Sequence, residues 1–372
     1  MHVLIAPNAF KNSLDARQVA LAIEEGLKQS RLQCTTELFP IADGGDGTGS
    51  LVVERCNGKR ISQEVHDPLG RKISSSFGLI DNGKTAVIEM ADASGLRLLK
   101  KEELNPMQAS SYGTGELIKG ALDKGVNRIL IAMGGSATVD GGCGILDVLG
   151  IEFFDIRGNK LKAVPGELID MAKIDTNGLD ERIYGTEIIV LCDVSNNLLG
   201  AQGAVAVFGP QKGASPEDVK VLDRFLENFV KATAAQTGRS MDRIKYGGAA
   251  GGASAGVYAW LGAKLANGIE YFLHLTGFDE ALKRANVVIT GEGSLDSQTL
   301  QGKGPYGVAV AAKKKGVKVI GLAGRIEEDT ELGEYFDALI CINQEPFDVT
   351  EAMKRTEENL VRVARRLGDR LA

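Results

Sequence analysis

Residues 287–307 read VVITGEGSLDSQTLQGKGPYG, and this stretch decides the fold. Its β-branched run Val287, Val288, Ile289, Thr290 predicts a short strand that stops at Gly291-Glu292-Gly293, with Asp296 just beyond. After Lys303 and Pro305 a helical pattern covers 308–315. Strand, glycine-rich turn and helix in that order form the repeating unit of a parallel α/β sheet. Ligands in such sheets bind beyond the carboxyl ends of the strands. Two carboxylates there, followed by a glycine-flanked lysine at a helix start, suit a metal ion and an anion such as phosphate.

The same pattern recurs toward both ends of the chain. A buried strand over 2–6 leads through Pro7-Asn8-Ala9-Phe10-Lys11-Asn12 to a helix over 15–29, with Ser13 as its N-cap and Val19, Ile23 and Leu27 on one stripe. A strand over 35–39 runs into Ala42-Asp43-Gly44-Gly45-Asp46-Gly47-Thr48, which opens a helix reaching about Arg55. Past Thr276, strands over 287–290, 317–322 and 338–342 alternate with helices over 305–315 and 350–371; Met353, Leu360, Ala364, Leu367 and Leu371 form the core stripe of the last one.

The middle differs. Segments 61–66, 73–80 and 85–90 read as antiparallel strands, the last two joined by an Asn82-Gly83 hairpin turn. Helices follow over 107–124, 216–237 and 257–266, with strands over 129–133 and 188–192. The expected fold class is α/β with two domains: a discontinuous parallel-sheet, Rossmann-like, three-layer domain (1–60 plus 285–372) and a mixed-sheet domain (61–284) inserted in it. A cleft between domains is the expected place for a small-molecule site.

Composition narrows the function. The 372 residues carry a net charge of −6 with basic residues scattered, which argues against a nucleic-acid partner. No apolar run approaches the roughly 20 residues of a membrane helix and no signal peptide is visible, so no membrane partner is expected and the location expected is cytoplasmic. Five cysteines (Cys34, Cys56, Cys143, Cys192, Cys341) without a CxxC pair read as free thiols in a reducing compartment. His2, His66 and His274 lack metal-ligand neighbours, which argues against zinc. Forty-seven glycines, clustered in loops, let backbone N–H groups approach a ligand.

Two motif matches fail on context. Gly302–Gly307 satisfies GxGxxG, but no strand runs into it. Gly252–Gly256 satisfies GxSxG, but glycines and alanines stand where a nucleophile-elbow strand belongs. No Walker A pattern occurs, so any nucleotide is held by a different loop. What remains is six glycine loops bearing Asp, Ser, Thr, Asn or Lys, at 7–13, 42–48, 134–144, 193–197, 247–256 and 291–307. Singly each reads as turn and cap chemistry. Together they supply backbone nests for phosphate, carboxylates for Mg²⁺ and lysines for the transferring group, the parts that phosphoryl transfer needs.

At these loops the chain resembles the bacterial glycerate kinase family, of the glycerate 2-kinase type, over essentially its whole length. The stretches that carry the likeness are Ala6–Lys11, Ala42–Thr48, Gly134–Gly144, Cys192-Asp193-Val194, Phe208-Gly209-Pro210-Gln211-Lys212-Gly213-Ala214, Gly248–Gly252 and Thr290–Gly307. The resemblance implies phosphorylation of D-glycerate, at the 2-hydroxyl, with ATP and Mg²⁺. On that reading Asp193 or Asp296 accepts the hydroxyl proton, and the metal ligands come from Asp43, Asp193, Glu292 and Asp296. Lys11 and Lys303 stabilise phosphoryl charge. Substrate and phosphate contacts are expected at Asn8, Lys11, Gly44, Gly45, Gly135, Ser136, Thr138, Asp140, Gly251, Gly252, Gly291, Gly293 and Arg325, the last for the substrate carboxylate. The chain departs from the family pattern at Asn8-Ala9 (usually Asp-Ser), Asp46 (commonly Glu), Val139 (usually Asn) and Asn197 (usually Pro). Other readings left open are a kinase for a related hydroxy-acid such as tartronate, a 3-phosphoglycerate-forming activity, a phosphatase and a non-catalytic binding protein for small anions; a homodimer is also left open.

Overall fold

The structure, a computed structural model, describes residues 1–327, 331–343 and 348–372. Its contacts divide the chain into two units: Met1–Asp43 with Ile269–Ala372, and Gly44–Gly268. The sequence placed the boundaries near 60 and 285. The helix Thr48–Arg55 falls in the second unit because Glu89 of that unit's sheet accepts the Gly49 N–H at 3.1 Å. Phe278 falls in the first because it packs edge-on against Phe39, with ring centroids 5.0 Å apart.

The first unit is built on five parallel strands in the order Ala338–Cys341, Lys318–Ile326, Val287–Leu295, His2–Ile5, Thr35–Leu38. The strand predicted to stop at Thr290 continues to Leu295, paired with its neighbour through Glu292↔Ala323 to Leu295↔Ile326. Glycine makes this close pairing feasible, since a Cβ on Gly291 would stand 1.9 Å from the Leu322 carbonyl oxygen. Glu292 is therefore held on a strand rather than in a turn.

The helix Ala16–Lys28 is capped by Asp15, not by Ser13. Asp15 accepts from Gln18 N at 2.8 Å while the Gln18 side chain accepts from Asp15 N at 3.0 Å, a reciprocal box; Ser13 Oγ donates instead to the Met353 carbonyl. The single terminal helix expected over 350–371 is two, Val349–Lys354 and Thr356–Leu371, broken at Arg355 with φ −103°. Leu360, Ala364 and Leu367 join the core with Val19, Ile23 and Leu27, whereas Met353 and Leu371 lie outside it, 39% and 36% exposed.

The second unit has a six-stranded mixed sheet in the order Lys264–Asn267, Glu187–Cys192, Arg128–Ala132, Thr85–Glu89, Lys72–Ile80, Lys59–His66. A small antiparallel pair, Glu152–Phe154 with Lys173–Asp175, stands apart. Thr85–Glu89 is antiparallel to Lys72–Ile80, as expected, but parallel to Arg128–Ala132. The expected helix over 257–266 is instead Ala253–Leu261 followed by the strand Lys264–Asn267, because Gly262 turns the chain at φ +70°. Pro216–Thr237 starts on a Ser215–Asp218 capping box and buries Leu222, Phe225, Leu226 and Phe229. Among the described residues, no helix is long and apolar enough to cross a membrane. All five cysteines are free.

Helices Ala16–Lys28 and Thr356–Leu371 meet at Gly26, where an added Cβ would lie 2.3 Å from the Val361 carbonyl oxygen and 2.6 Å from Ala364 Cβ. In an exposed helix Gly→Ala stabilises by about 1 kcal/mol. Here the overlap with backbone reverses the sign, and G26A is expected to destabilise by about 1–3 kcal/mol. Urea unfolding checks it; a variant as stable as the parent would show that the two helices separate at no cost.

Candidate active site

The first unit gathers its polar groups at the carboxyl ends of its central strands. The chain leaving His2–Ile5 is held to the neighbouring strand by Asn8 N, which donates to the Gly291 carbonyl at 2.8 Å. That places the buried Asn8 amide against Asp43, with Nδ2 donating to Oδ2 at 3.0 Å. The same Asp43 oxygen accepts the Gly304 N–H at 3.2 Å, so the carboxylate sits at the amino end of the helix Gly304–Lys314, where the helix dipole favours an anion. One strand over, Glu292 is buried and accepts from Thr299 Oγ1 at 3.0 Å. Burial pushes its pKa up to about 7, Asp43 adds to the rise, and Lys303 and Lys11 oppose it. Asp296 shapes the following turn: its carboxylate accepts from Gln298 N at 3.0 Å, Thr299 N at 3.2 Å and Ser294 Oγ at 3.2 Å, and Lys303 Nζ stands 3.9 Å away. Asn8, Asp43, Glu292, Asp296 and Lys303 are thus brought together as anticipated, and Lys11 interacts electrostatically with Glu292. Arg325 is exposed near the end of Lys318–Ile326, opposite Ser294.

The second unit holds Gly44, Gly45, Gly135, Ser136, Thr138, Asp140, Asp193, Gly251 and Gly252. Two loops cross in contact there. Gly134 N donates to the Gly44 carbonyl at 2.9 Å, and a Cβ on Gly134 would lie 2.3 Å from Gly45 Cα. Behind this crossing, Lys212 is buried, its Nζ donating to Ser136 Oγ at 2.8 Å and to the Thr138 carbonyl at 2.7 Å. Thr138 Oγ1 is buried without a hydrogen-bond partner. A cavity of about 80 Å³ is bounded by Gly134, Gly135, Ser136, Asp193 and Lys212 among others.

Asp140 departs from the expectation of a ligand contact. It is fully buried and accepts from Ser111 N and Oγ, both at 2.7 Å, and from Gly142 N and Gly144 N, both at 3.1 Å. Burial raises its pKa and these four donors pull the other way. Its carboxylate ties the 134–144 loop to the start of the helix Tyr112–Asp123, a structural task. Gly251 likewise serves packing, since a Cβ there would lie 2.1 Å from the Thr138 carbonyl.

The metal expectation needs adjustment. Among the described residues, no three His, Cys, Asp or Glu side chains are grouped to hold a metal ion on protein ligands alone. Mg²⁺ is usually held by one or two carboxylates together with substrate phosphates and waters. Asp43 and Glu292, all-oxygen donors whose charges already feel each other, fit that smaller role.

A parallel α/β unit with carboxylates and lysines at its strand ends, and a second α/β unit with glycine loops beside a buried lysine, define an enzyme class that handles small anions. The glycerate kinase family pattern matches residues 3–372. The chain is 43% identical over 374 residues to the glycerate kinase of Haemophilus influenzae, spanning 100% of this chain and 99% of that one. It is 39% identical over 374 residues to the glycerate 2-kinase of Escherichia coli K12, spanning 100% and 98%. A crystal structure assigned to glycerate kinase 2 of Salmonella typhimurium LT2 is similar with a TM-score of 0.83 and 41% identity, over 100% of this chain and 98% of that one. The chain belongs to the glycerate kinase family.

Two groups escaped the sequence reading, Lys212 and Glu89. Glu89 ends the strand Thr85–Glu89, is buried, and accepts the N–H groups of Gly47 and Gly49 at the start of the helix Thr48–Arg55. Burial pushes its pKa from 4.5 up to about 7, helped by a hydrogen bond shared with Asp46, which in turn pairs with Arg97. In the fold this carboxyl therefore holds its proton more tightly than in the unfolded chain. Stability from this group is greatest below about pH 4.5 and is lost as pH rises through 7. Glu89→Gln stays neutral throughout, so its thermal midpoint should fall less than the parent's between pH 5 and 8. Melting both proteins across that range checks this, and an unchanged slope in E89Q would remove Glu89 as the source.

Proposed function

We propose that the protein transfers the γ-phosphoryl group of ATP to the 2-hydroxyl of D-glycerate, with Mg²⁺. Whole-length membership of the glycerate kinase family carries this reading; the position phosphorylated rests on the likeness to the Escherichia coli glycerate 2-kinase. In the transfer, the hydroxyl oxygen forms a bond to the γ-phosphorus as the bond to the leaving ADP oxygen breaks, and the hydroxyl proton passes to a carboxylate. Asp193 suits that acceptor role, since it lines a cavity together with the buried Lys212.

Asp43 and Glu292 would hold Mg²⁺, whose chemistry when bound is to neutralise charge on the β- and γ-phosphate oxygens. Lys11 and Lys303 would counter the charge on the transferring group, Lys303 from the first unit's turn beside Asp296. Gly44, Gly45, Gly135, Gly252 and Gly293 would let backbone N–H groups approach phosphate. Five free cysteines and dependence on ATP fit a cytoplasmic enzyme.

The test is ADP release with Mg²⁺ and ATP across D-glycerate, L-glycerate, tartronate, glycerol and longer sugar acids. D-glycerate is expected to be turned over, and its product to be 2-phosphoglycerate by NMR. Asp193→Asn should lower kcat by about 10²–10⁴-fold with folding intact, as loss of a general base does. Near-normal turnover in D193N would take the base role from Asp193.

A further inference from the structure

Lys212 is a buried cation that makes no salt bridge among the described residues. It closes the short turn Pro210–Lys212, and Gly213 at φ +95° leads the chain away from it. A Cβ on Gly213 would lie 2.5 Å from the Leu104 carbonyl, so the turn is fixed from behind. Only 3% of the residue is exposed, and two of the three ammonium N–H donors are taken by Ser136 Oγ and the Thr138 carbonyl. Among the described residues it has no salt-bridge partner. Burial lowers its pKa to about 8, and the charges of Asp140 and Asp193 resist that fall. Taking an ammonium out of water is unfavourable, and a bound anion offsets that loss.

The cavity that Lys212 lines has the size of one small acid. A volume of about 80 Å³ is several times the roughly 10–15 Å³ that one water needs, room for a molecule of a few heavy atoms. Glycerate has three carbons and four oxygens. A nucleotide needs several hundred Å³. The walls combine the Lys212 ammonium and the Asp193 carboxylate with Met133, Val194 and Phe208, so the cavity offers one positive group, one proton acceptor and apolar sides.

Resting on the glycerate kinase reading, we infer that Lys212 receives the carboxylate of the acid substrate in this cavity, oriented by Ser136 and the Thr138 carbonyl. The exposed Arg325, the carboxylate partner suggested by sequence, lacks such a setting. Ser136 is then a positioning residue, acting on the substrate through the Lys212 ammonium.

Steady-state kinetics of the full chain with Lys212→Met decide it. KM for D-glycerate should rise about a hundredfold or more, as loss of one partner of a buried charge pair does, with KM for ATP within threefold. Glyceramide, the uncharged analogue, should be phosphorylated equally poorly by the parent and by K212M, so that the loss is confined to the charged acid. Lys212→Arg should recover part of it. If K212M does not fold, Ser136→Ala takes its place, with a KM increase of several-fold for D-glycerate and none for ATP. An unchanged KM for D-glycerate, or a loss centred on ATP, overturns the assignment. If the parent protein turns over no D-glycerate, the kinase reading fails separately. Calorimetric titration of D-glycerate into parent and K212M then settles the Lys212 contact: equal affinity, or no binding to either, overturns it.

Discussion

The pairing of two segments almost three hundred residues apart underlies the first unit. Val3, Leu4 and Ile5 lie parallel to Val287, Val288 and Ile289, and the bond from Asn8 N to the Gly291 carbonyl carries the register past the strand end. A slip of one residue would turn every side chain to the other face of the sheet. Asn8 N would then lose the Gly291 carbonyl, and Glu292 would move away from the charges of Asp43 and Lys11. The long return of the chain makes this contact slow to form, and the polar groups at the strand ends depend on it.

Burial without full compensation recurs at the loops that matter. Glu292, Glu89 and Lys212 are each buried, and in each the charged form is disfavoured by loss of water. Asp140 is also buried, but four donors enclose it and leave nothing for a ligand. The contrast separates structural from functional groups on physical grounds. A carboxylate saturated by its own fold stabilises that fold, whereas an incompletely matched charge beside a cavity or another charge is poised to receive an ion.

Sequence made the architecture legible where periodicity and turn chemistry agreed. The parallel strands at both ends and the helix Pro216–Thr237 could be read from residue type and order, and Asn8, Asp43, Glu292, Asp296 and Lys303, which the family resemblance singled out, lie together in the first unit. The strand runs on through Glu292 although Gly291 and Gly293 are strong turn formers, because Gly291 serves here to admit the neighbouring strand. The terminal helix hid its break because Arg355 is as good a helix former as its neighbours. Lys212 lies in a stretch that carries the family likeness, yet no local pattern reveals that its ammonium is taken by Ser136 and Thr138, 76 and 74 residues away. Glu89 was concealed in the same way, as the last residue of an otherwise apolar strand.

Asn8 shows how one substitution changes what a site requires of its surroundings. An aspartate at this position would place a second carboxylate about 3.0 Å from Asp43, in a setting that already pushes Glu292 toward its neutral form. Like charges so close keep one proton between them or demand a cation. The asparagine donates instead, fixing Asp43 with its Nδ2 while its Oδ1 accepts the Ala9 N–H at 2.8 Å. The loop is therefore held by an amide that brings no charge of its own, and the negative charge at the strand ends rests on Asp43, Glu292 and Asp296. An asparagine amide takes up no proton, so the role of proton acceptor falls to carboxylates elsewhere in the chain.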